Sequence, residues 1–354
     1  MEQGNLQFGH GKIVRSLDPL NLEMPFGTLD GFITPTKSFY VRTHFPTPKI
    51  DRDAWRMRVE GEVSKSFEIS YGELIRLESR KVPVTLECAG NNRSFLNPPV
   101  KGVQWELGAV GNAEWIGVPL SILLERAGVK ASAREVVLEG ADHGRIDDPK
   151  APVGELKFAR SIPLEKARQD VLLTYQMNDA DLPPEHGFPV RAIVPGWYAM
   201  ASVKWLTRVI VIDRPFNGYY QTLDYAFWKN NELVPLREMQ VKAEIARPVT
   251  GETISANSTY RIHGAAWTSD GEVTTVEIST NGGSTWSNAT LLGQSIPHAW
   301  RLWEFAWRTP AIAGKATLMA RARDSRDRTQ SAERDPGRGT YMINHVLPIT
   351  VEVQ

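Results

Sequence analysis

The sequence predicts an α+β domain followed by an all-β sandwich, and three observations carry this prediction. Up to about residue 240, strand-like alternation and short helical patterns follow each other without a regular βαβ order. Beyond that point helical periodicity disappears, and turn signals such as Asn-Gly-Gly at 281–283 separate short alternating runs. The length of 354 residues also favours two domains, at roughly 150 residues each. We therefore predict domains over residues 1–239 and 240–354.

The first domain is predicted to open with a long irregular segment that wraps a core of mixed strands and short helices. Residues 1–50 are rich in proline, glycine and polar residues and show little periodicity. A capping-box pattern predicts a short helix over residues 70–77. Proline at the start and glycine after the end predict a second helix over residues 119–127. Strands are predicted at 55–60, 82–88, 135–139, 190–194 and 204–212.

The second domain is predicted to be an immunoglobulin-like sandwich. Its alternating runs are short, and roughly seven strands in about 110 residues are typical of that architecture. The clearest strand-like runs are 261–268, 273–280, 285–292, 301–308, 316–324 and 344–353.

Composition argues against several functional classes. Lys plus Arg and Asp plus Glu number 41 each, and a formal charge of zero argues against nucleic acid as the main partner. No apolar run approaches the roughly 20 residues that span a bilayer, and the first residues lack the features of a secretory signal. We expect a soluble protein, periplasmic or cytoplasmic, without a membrane span. The single cysteine excludes an intrachain disulfide, and because no haem-attachment motif occurs we expect no haem in this chain.

Cys88 is the first candidate for chemistry. It ends an alternating strand, and the glycine and asparagines that follow permit a tight turn that would turn the sulfur into a cleft. Arg93 can favour the thiolate, which is the form that attacks electrophiles and binds metals. A nucleophile would need a histidine base, whereas a soft metal needs only the thiolate, and both remain open. A buried cysteine that acts as a small hydrophobe is the structural alternative.

Several basic residues stand where a charge needs a partner. Arg42 and His44 share one face of an extended segment. His186, Arg191 and Lys204 could form a donor-rich pocket for phosphate, although scattered surface charge is the alternative. Arg191 lies within an apolar strand run, and a charge there is costly unless it is paired. With the lone thiol, these residues indicate a metal-bearing phosphorylated cofactor and an oxyanion substrate.

Four sets of motifs occur in the order and spacing of a known family. They are 85–94 (TLECAGNNRS), 101–105 (KGVQW), 186–191 (HGFPVR) with 203–205 (VKW), and 264–267 (GAAW) with 279–286 (STNGGSTW). On these motifs the chain resembles the sulfite oxidase family of molybdopterin enzymes over nearly its whole length. The resemblance implies a mixed α/β molybdopterin-binding domain with the sulfite oxidase fold, followed by an immunoglobulin-like dimerisation domain.

The resemblance assigns roles to individual residues. Cys88 would be the protein thiolate bound to molybdenum. The residues implied to contact the pterin and its phosphate are Arg42, Thr43, His44, Asp142, His186, Arg191, Ser202, Val203 and Lys204. The residues implied at the reacting centre are Cys88, Arg42, Arg93, Trp105 and Tyr225. The structural alternative for Tyr225, which lies in an aromatic-rich stretch, is packing between the domains.

The implied activity is molybdenum-dependent oxidation of sulfite to sulfate by oxo transfer, with electrons passed to a separate acceptor such as cytochrome c. A homodimer is implied as well. The chain departs from animal relatives in having Asn92 before Arg93 where they carry consecutive arginines, and in having no arginine after Arg338. A nitrate reductase core or a sulfur-compound dehydrogenase is therefore the alternative on the same scaffold. A non-catalytic binding protein is the alternative from another class.

Overall fold

Strands dominate the structure, a computed structural model that describes residues 7–8 and 11–354. The strands of its first part are β1 (Gln7–Phe8), β2 (Lys12–Leu17), β3 (Leu20–Glu23), β4 (Val41–Arg42), β5 (Arg56–Gly61), β6 (Phe67–Ser70), β7 (Arg80–Glu87), β8 (Val110–Pro119), β9 (Glu135–Gly144), β10 (Leu156–Pro163), β11 (Leu172–Met177), β12 (Ala180–Asp181), β13 (Arg191–Ile193), β14 (Leu206–Ile212), β15 (Ala226–Lys229) and β16 (Glu232–Pro235). The α-helices are α1 (Tyr71–Leu74), α2 (Leu120–Ala127) and α3 (Leu164–Gln169). The strands of the second part are β17 (Lys242–Arg247), β18 (Thr253–Ile254), β19 (Thr259–Trp267), β20 (Val273–Ser279), β21 (Ser287–Asn288), β22 (Thr290–Leu291), β23 (Arg301–Arg308), β24 (Gly314–Asp324) and β25 (Ile349–Val353).

Three sheets and a hairpin build the first part. The first sheet has the order β1-β2-β3-β4, and the second has the order β10-β9-β14-β5-β6. The third has the order β12-β11-β8-β7, with β13 paired to β11. Strands β5 and β14 run parallel, whereas β7 and β8 form a long antiparallel pair. The hairpin consists of β15 and β16.

Local sequence signals explain the helix ends. The Ser70 hydroxyl accepts the Glu73 amide, and the Glu73 carboxylate accepts the Ser70 amide, so the predicted capping box is confirmed. The helix ends at Leu74 and not at Leu77 as predicted, because the Leu77 amide bonds three residues back instead of four. Helix α2 ends as predicted, and Gly128 after it takes the left-handed conformation with φ of 65°.

The prediction of an irregular segment over residues 1–50 is wrong in part. Strands β2 and β3 form an antiparallel hairpin, and β4 joins it with Asn21 opposite Arg42. This pairing joins residues that are distant in the chain, so alternation within a short window does not reveal it. Residues 1–6 and 9–10, which belong to the same predicted segment, lie outside the described residues.

Two sheets build the second part, in the orders β17-β19-β23-β22 and β18-β25-β24-β20-β21. The strand predicted at 285–292 is two short strands, because β21 pairs with β20 in one sheet and β22 pairs with β23 in the other. The last predicted strand, 344–353, is shortened to β25. Between residues 344 and 348, the Val346 amide donates to the Ser331 carbonyl at 2.8 Å in place of a strand partner. Just before this stretch, the Met342 amide donates to the Ala89 carbonyl of the first part at 2.9 Å.

Each part has a core of buried side chains, and the core of the first part also includes side chains from the second part. One core contains only side chains from the second part, between Val241 and Val353. Another combines the first part with Trp267, Trp300 and Tyr341 of the second. A third, smaller cluster lies within the first part and includes Cys88 and Trp105. The predicted α+β class with a terminal β-sandwich is confirmed. Among the described residues, none of the helices has the length and apolar character needed to cross a bilayer.

Candidate active site

A cavity lies in the first part, where several strands end. Most of the predicted site residues line it, although they come from widely separated segments of the chain. These residues are Arg42, Thr43, His44, Cys88, Asp142, His186, Arg191, Ser202, Val203, Lys204 and Tyr225. The structure therefore brings the predicted thiol, the predicted cations and the predicted tyrosine to one space.

Strand ends position these side chains. Cys88 directly follows β7, and Arg42 is the last residue of β4. Asp142 lies near the end of β9, Arg191 begins β13, and Lys204 lies two residues before β14. Because the chain leaves its sheet at these points, the side chains can face a common space that a rigid scaffold holds open.

Cys88 is a buried free thiol in the cavity wall. Its amide donates to the Ala109 carbonyl at 2.8 Å, and its carbonyl accepts the Asn91 amide at 2.9 Å, which fixes the turn after β7. Burial raises the pKa of the Cys88 thiol, and the positive charges of Arg42 and Arg93 act in the opposite direction. Two nearby cations make these surroundings suited to a thiolate that binds a metal.

His44 and Tyr225 form a polar contact in the cavity wall. The His44 Nε2 atom lies 2.7 Å from the Tyr225 hydroxyl, and the imidazole stacks on Phe158 with ring centroids 4.5 Å apart. Burial, followed by the charge of Arg42, holds the pKa of His44 well below its usual value. Burial raises the pKa of Tyr225. Near pH 7 the contact therefore joins a neutral imidazole to a protonated phenol.

Two buried cations lie in the cavity wall with backbone carbonyls as partners. Arg191 donates through Nη1 to the His186 carbonyl and through Nη2 to the Ser202 carbonyl, each at 3.0 Å. Lys204 Nζ donates to the Glu185 carbonyl at 2.8 Å. Burial lowers the pKa of Arg191 to about 10 and the pKa of Lys204 well below its usual value. Carbonyls do not neutralise a cation, so this side of the cavity favours an anionic ligand.

Two buried polar atoms of the wall have no hydrogen-bond partner among the described residues. They are His186 Nε2 and Asp142 Oδ1. Burial lowers the pKa of His186 well below its usual value and raises the pKa of Asp142 to about 6. Buried polar groups are nearly always bonded, so these two atoms indicate that a polar ligand completes the cavity.

Strands β3 and β4 orient Arg42. The Asn21 Oδ1 atom accepts the Thr43 amide at 3.2 Å and Arg42 Nη1 at 3.3 Å. The Thr43 hydroxyl donates to the Leu20 carbonyl at 2.8 Å. The strand pairing that sequence analysis missed therefore holds a predicted site residue in place.

Two residues predicted at the anion, Arg93 and Trp105, lie outside the lining of this cavity. Arg93 donates through Nε to Thr340 Oγ1 and through Nη1 to the Val103 carbonyl, both at 2.8 Å. Trp105 is fully buried, edge-on to Tyr40 with ring centroids 6.4 Å apart. A contact of either side chain with substrate stays a prediction.

Sequence analysis missed the residues that hold the segment around Cys88. Glu87 Oε1 accepts Lys242 Nζ and Glu87 Oε2 accepts Trp267 Nε1, both at 2.9 Å. Lys242 and Trp267 belong to the second part, and Lys242 also lies 2.9 Å from Glu244. All four side chains are buried, and no local pattern in the sequence pairs residues so far apart.

Two family models match the chain. The model described as an oxidoreductase molybdopterin binding domain matches residues 44–220. The model described as a Mo-co oxidoreductase dimerisation domain matches residues 234–336. The first match contains Cys88 and most of the cavity, and the second covers most of the strands of the second part.

Curated relatives match most of this chain. Sulfite oxidase from Gallus gallus is 34% identical over 337 residues, which are 89% of this chain and 72% of that protein. Mitochondrial sulfite oxidase from Rattus norvegicus is 34% identical over 334 residues, 88% of this chain and 60% of that protein. An NADH nitrate reductase from Solanum lycopersicum is 33% identical over 350 residues, 88% of this chain and 38% of that protein. The chain therefore spans only part of the length of these relatives.

A solved structure shares the fold over nearly the whole chain. The sulfane dehydrogenase SoxCD from Paracoccus pantotrophus matches with a TM-score of 0.81 and 26% identity, covering 94% of this chain and 84% of that one. The fold, the cavity and the matched domains define a molybdopterin-binding oxidoreductase with a dimerisation domain. Within that class, the chain belongs to the sulfite oxidase family.

The cavity fits the molybdenum–pterin cofactor of this family. Cys88 would supply a thiolate once a metal displaces its proton, and thiolate is a ligand that soft metal centres prefer. Arg191 and Lys204 supply cations whose hydrogen bonds go to backbone carbonyls, although the carboxyl groups of Asp142 and Glu185 lie near Lys204, and such cations suit a phosphate group. His186 Nε2 and Asp142 Oδ1 are buried atoms whose missing partners a polar heterocycle would provide.

Proposed function

We propose that the protein oxidises sulfite to sulfate in a molybdenum-dependent oxo transfer and passes the electrons to a separate acceptor such as cytochrome c. Relatives named sulfite oxidases, at 34% identity, support the substrate. The observation that carries the proposal is that Cys88, Arg42 and Tyr225 line one cavity. The reaction needs a ligand for the metal, a cation for the oxyanion and a group that handles a proton.

Cys88 is proposed as the protein ligand of molybdenum in a domain that comprises residues 1–239. The cofactor, when bound, supplies the oxo group and the redox capacity, while the protein positions and tunes it. Its pterin and phosphate are proposed to contact Arg42, Thr43, His44, Asp142, His186, Arg191, Ser202, Val203 and Lys204, which all line the cavity.

Arg42 is proposed to bind the sulfite oxygens. Its guanidinium is directed by Asn21 and lies close enough to Cys88 to lower the pKa of that thiol. Charge-assisted hydrogen bonds from arginine to an oxyanion are stronger than neutral ones, and they grow as negative charge develops. Arg42 would thus hold the substrate beside the metal ligand.

Tyr225 and His44 are proposed to handle a proton. Oxidation of sulfite with water as the oxygen source releases protons, which must leave the cavity. The Tyr225 hydroxyl is protonated and lies 2.7 Å from His44 Nε2, and the imidazole is neutral because burial lowers its pKa. The hydroxyl can therefore donate to a neutral base, as proton movement between positioned groups requires.

The second domain, residues 240–354, is proposed to form a homodimer. The match to a dimerisation domain over residues 234–336 supports this. Light scattering at micromolar concentration is expected to give about twice the mass of one chain. A mass equal to one chain would contradict the dimer.

A sulfur-compound dehydrogenase is the second candidate function, and a nitrate reductase core is a third on the same scaffold. The structural similarity to a sulfane dehydrogenase favours the sulfur-compound dehydrogenase over the nitrate reductase core. Arg93 bonds to Thr340 and Val103 and does not line the cavity, so it adds no cation to the cavity wall.

The test is sulfite-dependent reduction of ferricyanide by protein that contains about one molybdenum per chain. Saturation by sulfite in the micromolar range supports sulfite oxidation, and reduction of added cytochrome c then examines the acceptor. The contrary result is that the molybdenum-containing protein fails to oxidise sulfite and yet reduces nitrate with a reduced dye, or oxidises a persulfide. That result would show that the proposed substrate is wrong, while the family assignment would stand.

A further inference from the structure

Tyr341, from the second part of the chain, contacts the residues around the cavity without lining it. Its ring centroid lies 5.0 Å from that of Tyr225. Its hydroxyl donates to Asp224 Oδ1 at 2.7 Å, and Asp224 directly precedes Tyr225. One side chain therefore contacts the Tyr225 ring and also anchors the residue before it.

The same tyrosine contacts Arg93 with its ring. The guanidinium carbon of Arg93 lies 5.1 Å from the Tyr341 ring centroid, which is within cation–π distance. Arg93 Nε also donates to the hydroxyl of Thr340 at 2.8 Å and to its carbonyl at 3.1 Å. Gly90 and Gly102 leave the space that the guanidinium occupies, because a Cβ atom at either position would collide with it.

The backbone next to Tyr341 is fixed against the Cys88 turn. The Met342 amide donates at 2.9 Å to the carbonyl of Ala89, the residue that follows Cys88. The segment 340–342 thus bonds to the turn after β7 through its backbone, to Arg93 through Thr340 and to Asp224 through Tyr341.

From these contacts we infer that Tyr341 is a positioning residue, which the second domain supplies to hold Tyr225 and Arg93 in place beside the cavity. The inference rests on the proposed function, which gives Tyr225 its part in turnover. Tyr341 does not reach the cavity, so its effect passes through Tyr225. Its ring packs against the Tyr225 ring at an interplanar angle of 34°, and this contact restrains the ring so that the hydroxyl stays close to His44.

Simple packing does not account for the Tyr341 hydroxyl. A phenylalanine would fill the same space without a polar atom, whereas a buried phenol costs free energy unless it is bonded. This hydroxyl bonds to the carboxylate beside Tyr225, at the one place where the bond would fix the orientation of that residue. The cation–π contact between the Tyr341 ring and Arg93 is a second interaction, which an aliphatic side chain could not make.

The first test is a double-mutant cycle on kcat with loaded enzyme. Tyr341→Leu removes the ring and the hydroxyl, and we expect kcat for sulfite to fall roughly tenfold. In a Tyr225→Phe background, the same change is expected to lower kcat less than about twofold, because the group it positions is already gone. Tyr341→Phe keeps the ring but loses the hydrogen bond to Asp224, so its kcat is expected to lie between those of wild type and Tyr341→Leu. An equal loss in both backgrounds would overturn the inference.

The second test needs no turnover. Amide hydrogen exchange at Leu236, which donates to the Tyr225 carbonyl at 2.9 Å, and at Met342 is expected to speed up several-fold in Tyr341→Leu. The matched control is Tyr260→Phe, which removes a tyrosine–carboxylate bond to Glu252 in the same domain and is expected to leave both amides unchanged. Unchanged exchange in Tyr341→Leu would overturn the inference.

The two tests separate this inference from the proposed function. If the loaded wild-type protein does not oxidise sulfite, the proposed substrate fails while hydrogen exchange still decides the role of Tyr341. If sulfite is oxidised but the cycle is additive, the function stands and Tyr341 is only a packing residue.

Discussion

The Tyr225 hydroxyl lies 2.7 Å from His44 Nε2, although the two residues are 181 positions apart in the chain. The contact is enclosed by aromatic rings, with Phe158 stacked on the imidazole and Tyr220 edge-on to it. In this setting both groups are neutral near pH 7, because burial lowers the pKa of His44 and raises that of Tyr225. The two residues therefore form a neutral polar pair in the cavity wall, to which the proposed function assigns the handling of a proton.

Tyr225→Phe is expected to lower kcat for sulfite roughly a hundredfold, at the low end of what a positioned acid–base group contributes. The ring and its contact with Tyr341 are kept, so the molybdenum content should not change. Metal analysis and steady-state kinetics on the same preparation check this, with Tyr260→Phe as the control. Loss of molybdenum in Tyr225→Phe would show that its role is structural.

Cys88→Ser is expected to abolish molybdenum retention and sulfite-dependent turnover. Serine is nearly isosteric, so the cofactor-free variant should lose no more than about 1–2 kcal/mol of unfolding free energy. Metal content by mass spectrometry and urea unfolding measure the two effects separately. A full complement of bound molybdenum in Cys88→Ser would contradict the assignment of Cys88 as ligand.

Lys204→Met is expected to raise the stability of the cofactor-free protein and to weaken retention of the cofactor. Lys204 is a buried cation whose hydrogen bond goes to a carbonyl, so replacing it should stabilise the cofactor-free protein by about 1–3 kcal/mol. The same change should reduce cofactor retention, because an anion loses a partner. Lys157→Met, at an exposed pair with Glu139, is the control with little expected effect. Destabilised cofactor-free protein would count against an anion-binding role.

Glu244→Gln tests a buried carboxyl behind the Cys88 turn. Burial raises the pKa of Glu244 from 4.5 to about 7, despite the nearby charge of Lys242. The folded protein then holds a proton that the unfolded chain releases, so this group costs stability as pH rises from about 4.5 to 7. As the pH rises from 5 to 8, the unfolding free energy of Glu244→Gln should increase by about 1–3 kcal/mol relative to that of wild type.

Urea unfolding of both proteins at the two pH values measures this change. Glu165→Gln, at an exposed position, is the control, and its unfolding free energy should change with pH as that of wild type does. A stability difference between Glu244→Gln and wild type that does not change with pH would contradict the assigned shift.

The parts of the fold that depend on local chemistry were predictable. The Ser70 cap, the glycine after α2 and the strand before Cys88 follow from signals within a few residues. Helix α1 was predicted too long, because capping signals fix the start of a helix and say little about where its hydrogen bonds shorten. The β3–β4 pairing was missed, since it depends on contacts between distant segments.

The same distinction applies to the site. Cys88 and the cationic set were found because they belong to compact motifs, and the structure brings them to one cavity. The residues that orient them are single positions in unrelated stretches. Asn21 beside Arg42, Phe158 against His44 and Tyr341 against Tyr225 carry no motif, so only the folded chain reveals them.

The buried bonds from Lys242 and Trp267 to Glu87 bear on how this architecture can be recombined. The carboxylate next to Cys88, the proposed metal ligand, receives buried bonds from the second part of the chain, so the two proposed domains depend on each other for this contact. A chimaera that joins residues 1–239 to the second domain of a relative would leave Glu87 as an unpaired buried charge, unless the graft supplies both donors. Exchange of this domain between lineages is therefore constrained by electrostatics in the interior as well as by the surface of the proposed homodimer.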